Sequence, residues 1–180
     1  MVAALLAALA DPVADVRRSA ALALSEASGS DPAVVTALLA ALTDPADDVR
    51  EFAAQTLTNI PIAREDVDTA LAGIIESIKK EDIRRNICHV LGERGIATST
   101  AINALTGRLL DVDNGVRRVA AKALAQLGQR FPAQRSEIEN LLIRTIANPK
   151  FEERDGLEQQ TGQDYAFGGL WALVSETSMD

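Results

Sequence analysis

ALLAALADPVADVRRSAALAL, residues 4–24, returns at residues 37–57 as ALLAALTDPADDVREFAAQTL. Arg17, Arg50, Arg84 and Arg117 mark one position in successive copies, at steps of 33, 34 and 33 residues, and Leu24, Leu57, Leu91 and Leu124 keep the same steps. A fixed period in this range marks a solenoid, in which each repeat buries its apolar face against its neighbours. The reading is all-α: about five helical-hairpin repeats in one domain, 1–180. The repeats run over about 1–29, 30–62, 63–96, 97–131 and 132–180, with an insertion near 150–162.

Within each repeat the apolar positions of the first helix fall at i, i+3, i+4 and i+7. They are Val2/Leu5/Leu6/Leu9, Val35/Leu38/Leu39/Leu42, Leu71/Ile74/Ile75/Ile78 and Ile102/Leu105/Thr106/Leu109. This spacing lays one stripe along a helix. The second helices carry Val16/Ala20/Ala23/Leu24, Val49/Ala53/Thr56/Leu57, Ile83/Ile87/Val90/Leu91 and Val116/Ala120/Ala123/Leu124. Small residues alternate with Leu there, so neighbouring backbones can approach closely. Asp11-Pro12 and Asp44-Pro45 close first helices, because a residue before Pro resists the helical region. Asp31-Pro32 predicts an N-cap with Pro at the first helical position, and Thr98, Ser99 and Thr100 supply caps for the fourth repeat. In the third repeat Ile78 and Ile83 lie five apart where Leu42 and Val49 lie seven apart, and Lys80 is read at the place of Asp44. A tighter turn is expected there.

The motif L-x-x-L-x-D-P-x-x-x-V-R-x-x-A-A-x-A-L resembles the HEAT repeat in its short bacterial form, which the phycobilin lyases share. The resemblance implies a ladder between neighbouring units, made by an Asp in the turn and an Arg six residues later. Asp11/Arg17, Asp44/Arg50 and Asp111/Arg117 match it; the third repeat does not, so the ladder is expected to break there. The C-terminal end resembles the tails of some large bacterial signalling NTPases that carry HEAT repeats, which implies a piece of a sensor or scaffold arm.

Composition narrows the function. Hydrophobic residues make up 47% of the 180, aromatics only 3%, and the formal charge is −8. That balance opposes nucleic-acid binding, which needs Lys and Arg to displace counterions. The single cysteine, Cys88, cannot form an internal disulfide, and no apolar run approaches the roughly 18 residues of a membrane span. A cytoplasmic chain is expected. One histidine cannot assemble the His-Glu centre of the dimetal hydroxylases of this fold, and neither a catalytic set nor a cofactor or metal site stands out. Cys88 matches Ala21, Ala54 and Ala121 and reads as a small packed side chain.

One row is less neutral. The positions one and five residues past the repeating Arg are Arg18/Leu22, Glu51/Gln55, Arg85/His89 and Arg118/Lys122. These second helices are expected to line a concave surface, so Arg18, Arg85, His89, Arg118 and Lys122 read as a basic groove for a protein or peptide of acidic character. The function read from the sequence is therefore a non-enzymatic protein-interaction scaffold, with a phycobilin lyase or isomerase subunit as the alternative. Near the end, Phe167, Leu170, Trp171 and Val174 fall on one helical stripe, which is expected to pack on the helix around Leu142 and Ile146 and close the core.

Overall fold

The computed structural model describes residues 1–27, 31–60, 65–93, 95–147 and 162–175. Ten α-helices occupy them, and no strand occurs among the described residues. The helices are α1 Val2–Ala8, α2 Ala14–Ala27, α3 Pro32–Ala41, α4 Asp47–Thr58 and α5 Glu65–Ile74. They continue with α6 Glu81–Glu93, α7 Ser99–Arg108, α8 Asn114–Arg130, α9 Pro132–Ile146 and α10 Gly162–Ser175. The chain divides into two compact units, Met1–Ile87 and Cys88–Asp180. The insertion expected near 150–162 lies outside the described residues except for Gly162.

In the first unit α1 pairs with α2 and α3 with α4, and α2 stacks on α4. Of the expected stripes, Val35 and Leu38 of α3 and Leu42 at its C-cap are buried and Leu39 is half-buried, with Val34 buried beside them, and Val49, Ala53, Thr56 and Leu57 of α4 are all buried. Thr56 is polar but costs nothing unpaired, since its Oγ1 donates to the Ala21 carbonyl at 2.9 Å, joining α4 to α2. The first helix has no fully buried residue, and Val16 is 39% exposed where its counterpart Val49 is buried. Asp31 caps α3 as predicted, accepting from the Ala33 N–H at 2.9 Å ahead of Pro32. In the second unit α7 pairs with α8, and α10 packs on both α8 and α9. Thr98 caps α7 through the Ala101 N–H, and Asp113 caps α8 through the Val116 N–H. Cys88 is fully buried, as are Ala21 and Ala54 at the matching positions.

Two expectations are overturned. The third inter-helix turn is longer, not tighter: residues 75–80 join α5 to α6, one residue more than residues 42–46 between α3 and α4. The buried residues of α5 are Val67, Asp68, Leu71 and Ala72, so its stripe runs in step with Val34, Val35 and Leu38 at a shift of 33. Ile78 then stands where Asp44 stands, and Lys80 falls two places beyond. The second correction concerns α10. Phe167 is 60% and Trp171 67% exposed, while Ala166, Gly169 and Leu173 are buried. The small face wins because it permits close approach: a Cβ on Gly169 would lie 3.1 Å from the Ala121 carbonyl oxygen, and Gly128 leaves the space that the Leu173 side chain fills. The two aromatics are not a core cap.

Candidate functional site

The repeating arginine does the same thing four times. Arg17 Nη1 donates to the carbonyls of Asp11 and Pro12 at 2.8 and 3.1 Å. Arg50 does so to Asp44 and Pro45, Arg84 to Ile78 and Lys79, and Arg117 to Asp111 and Val112. Each guanidinium therefore braces the turn six residues earlier in its own repeat, supplying donors to carbonyls that a helix end leaves unpaired. The turn Asp supplies the complementary acceptor. Asp11, Asp44 and Asp111 each accept from the backbone N–H two residues on, at 2.8, 2.8 and 3.0 Å.

Between the first and second repeats a rung is formed. Arg17 Nε and Nη2 donate to Asp44 Oδ2 and Oδ1 at 2.7 and 2.9 Å, a two-pronged pair between the first and second repeats. The hydrogen bonds from Arg17 hold the Asp44 carboxyl below its usual range, and Asp44 in turn raises Arg17. The rung from Arg50 has no Asp ahead of it, because Ile78 stands there. Arg50 instead donates to Asp47 of its own helix.

The joint to the third repeat is rebuilt with the polarity reversed. Lys79 pairs with Asp47, and Lys80 Nζ lies 2.9 Å from Glu51 Oε2 and 3.7 Å from Asp48. Glu51 Oε1 also accepts from the backbone N–H groups of Lys79 and Lys80, at 3.0 and 3.1 Å. The Lys80 N–H is the donor that a turn Asp would have capped, and a carboxylate from the preceding repeat caps it instead. Glu51 belongs by position to the row expected on the concave surface, yet it is only 3% exposed. The hydrogen bonds to Lys79 and then Arg50 lower Asp47, and Glu51 raises Lys80. A recess of about 580 Å³ at this edge, lined in part by Asp15, Arg18, Asp47, Asp48, Lys79 and Lys80, thus has its charges matched within the protein.

The predicted row behaves differently in its parts. Arg18 reaches Asp15 at 3.6 Å and lies 5.9 Å over the Phe52 ring. Arg85 is half-buried, and His89 lies 3.4 Å from Glu93 on its own helix. Arg118 and Lys122 are exposed one turn apart on α8, and neither has an ion-pair partner among the described residues. Both line a groove of about 520 Å³ between α8 and α10, which Ala121 and Ala125 of α8 and Gly168, Gly169 and Ala172 of α10 also line. Tyr165 closes one end, its hydroxyl on the Asn114 side chain and its ring 5.9 Å from the Arg117 guanidinium. The α10 wall was not foreseen; the Gly168-Gly169 pair was its only sequence signal.

Comparison with known proteins identifies the repeats at the start of the chain. Residues 1–58 match the family model described as HEAT repeats. No curated protein matches the sequence. Among solved structures the chain is similar to an engineered protein at 19% identity, covering 96% of this chain and 78% of that one, with a TM-score of 0.58. It is also similar to a designed armadillo repeat protein in complex with the peptide (KR)4, at 17% identity, 94% and 80% coverage and a TM-score of 0.58. A second engineered protein matches at 16% identity, 97% and 98% coverage and a TM-score of 0.55. The fold is an all-α solenoid of helical repeats, HEAT-type over residues 1–58. No helix among the described residues is long and apolar enough to cross a membrane.

Proposed function

We propose that this chain is a non-enzymatic scaffold whose five repeats form one domain and receive an acidic protein or peptide along their second helices. The observation that carries this reading is Arg118 and Lys122, two cations without an ion-pair partner among the described residues, on a chain of net charge −8. Most basic groups of the first unit are engaged with its own carboxylates, so an outward pair of cations has a use beyond holding the fold. By repeat position Arg18, Arg85 and His89 are counterparts of Arg118 and Lys122. That a designed armadillo repeat protein holds a peptide supports peptide binding as a use of such folds. Its ligand is basic, and the charge on this row calls for the opposite sign. In this reading the protein works in the cytoplasm, as an arm of a larger signalling protein, without nucleic acid, cofactor or membrane.

The test is reversal of the row. Arg85→Glu with Arg118→Glu is expected to abolish capture of the natural partner while helicity stays unchanged, and wild-type affinity is expected to fall as salt rises. Salt-insensitive capture that survives both reversals would remove the role assigned to this face. A second reading draws on the same groove, since its volume and two cations also suit the paired propionates of an open tetrapyrrole. Incubation with phycocyanobilin and an apo-phycobiliprotein separates the two: a visible absorbance band that stays with the denatured apo-phycobiliprotein only when this chain is present belongs to a lyase, its absence to the scaffold.

A further inference from the structure

The α8–α10 groove has a feature that packing does not explain. Gly169 is required by the close approach to Ala121, but a Cβ on Gly168 would meet nothing within 4 Å. A helical Gly is less favourable than Ala by about 1 kcal/mol, and at residue 168 no contact inside the protein offsets this. What the missing side chain does is keep the groove open opposite Arg118 and Lys122.

Resting on the scaffold reading above, we infer that this groove is a seat for an extended segment of the pattern acid–apolar–acid. Arg118 and Lys122 are four residues apart, so they stand about 6 Å apart along α8. Alternate side chains of an extended chain are about 6.6 Å apart on one side. Two carboxylates at positions i and i+2 therefore meet the two cations, and the residue between them points to the opposite wall. That wall is Gly168 and Ala172, apolar and shallow enough for one aliphatic side chain. Asp164 is the carboxylate lining the groove, so the seat stays net positive and favours acidic segments over basic ones.

The dimensions favour a strand over a helix. From Arg118 to Gln129 the α8 wall runs about 16 Å, the length of about five extended residues. A helix about 10 Å across and equally long would fill about 1,250 Å³, more than the about 970 Å³ of empty space in the groove, part of which is open to solvent. The backbone polar groups of an extended segment have partners at hand in the Gln126 side-chain amide and the Gln129 side-chain oxygen, which line the same groove, while Gln129 Nε2 already donates to the Ala172 carbonyl at 3.3 Å.

The experiment is fluorescence anisotropy on the full chain with the peptide Gly-Asp-Leu-Asp-Gly carrying a neutral dye. Its affinity is expected to exceed that of the Asn-Leu-Asn and Asp-Gly-Asp versions at least tenfold. Arg118→Gln with Lys122→Gln should bring it down to the Asn-Leu-Asn level. Gly168→Leu should weaken binding at least tenfold by filling the groove, whereas Gly168→Ala should leave it within about twofold. Equal affinity for the three peptides, or binding undiminished by the double Gln variant, overturns the seat; so does a folded Gly168→Leu variant that binds as wild type. The outcomes separate from those for the scaffold reading. Partner capture that depends on Arg18 and Arg85 without any peptide preference refutes the seat alone. Peptide preference with partner capture indifferent to the row refutes the scaffold reading alone.

Discussion

The edge between the second and third repeats and the groove between α8 and α10 are both rich in charge, and they spend it in opposite ways. At the first, Lys79 and Lys80 meet Asp47, Asp48 and Glu51, and backbone N–H groups share the Glu51 carboxylate. At the second, Arg118 and Lys122 face an open groove with no ion pair among the described residues. The difference separates two uses of a surface charge that the sequence writes alike. A charge matched inside the protein holds a joint; one left unmatched is available to something else.

The largest effect that can break this contrast is at Glu51. Glu51→Ala leaves the Lys79 and Lys80 N–H groups and the Lys80 ammonium without their buried acceptor. The expected loss is about 2–3 kcal/mol, read by denaturant unfolding. Hydrogen exchange should show the amides of residues 79 and 80 protected in the wild type and open in the variant. Protection that persists in Glu51→Ala would mean the joint is held by something other than this carboxylate.

The ionic joints also carry a pH signature. Asp44 and Asp47 have lowered pKa values, so their contribution is present above the ordinary carboxylate value near 4 and is lost as pH falls through the lower folded values. Lys79 and Lys80 are raised, so their contribution is present below the ordinary Lys value near 10.4 and fades only above it. Protection of residues 44–58, measured as exchange relative to the intrinsic amide rate at each pH, should therefore fall below about pH 4 and stay level between about 5 and 10. Protection already lost at pH 6 would contradict the assignment to these carboxylates.

How much of this was legible in the chain depends on what each residue type can decide. The period, the helix stripes and the caps at Asp31 and Thr98 were readable because each rests on local chemistry. The register of the third turn was not. Leu71, Ile75 and Ile78 of the expected stripe are buried, but apolar spacing does not say which residue takes the place of Asp44, and only the carbonyls that Arg84 grips assign it to Ile78. The burial of Glu51 was hidden for the same reason, since it follows from an Asp missing one repeat later. The α10 face misled because both candidate stripes have helical spacing. The bulky one, Phe167 and Trp171, looked like core, yet close packing on α8 selects the small one. Of the predicted row, Arg118 and Lys122 come together in a groove, but its second wall lies beyond residues 148–161 and no pattern in α8 announces it.

Two smaller substitutions sharpen the contrast on α10. Gly168→Ala should raise stability by about 0.5–1 kcal/mol, because it gains helix propensity and touches nothing. Gly169→Ala should fall short of that gain, since its Cβ presses on the Ala121 carbonyl. Equal gains at the two sites would dissolve the distinction between the packing glycine and the groove glycine. Trp171→Ala should change stability by no more than about 0.5 kcal/mol. Emission from this single Trp should be red-shifted and easily quenched by acrylamide. A blue-shifted, protected signal would restore the aromatic cap.

The division between matched and unmatched charge meets its most direct test in a paired reversal. Lys79→Glu with Lys80→Glu and Arg118→Glu with Lys122→Glu change the net charge equally, each replacing two cations by two anions. Denaturant unfolding and anisotropy with the Gly-Asp-Leu-Asp-Gly peptide would be measured on both. The first variant is expected to lose stability and keep at least half of the wild-type affinity. The second is expected to keep wild-type stability and lose affinity at least tenfold. A second variant that unfolds as easily as the first, or a first variant that loses binding as fully as the second, would show that the two sets of charges do the same work.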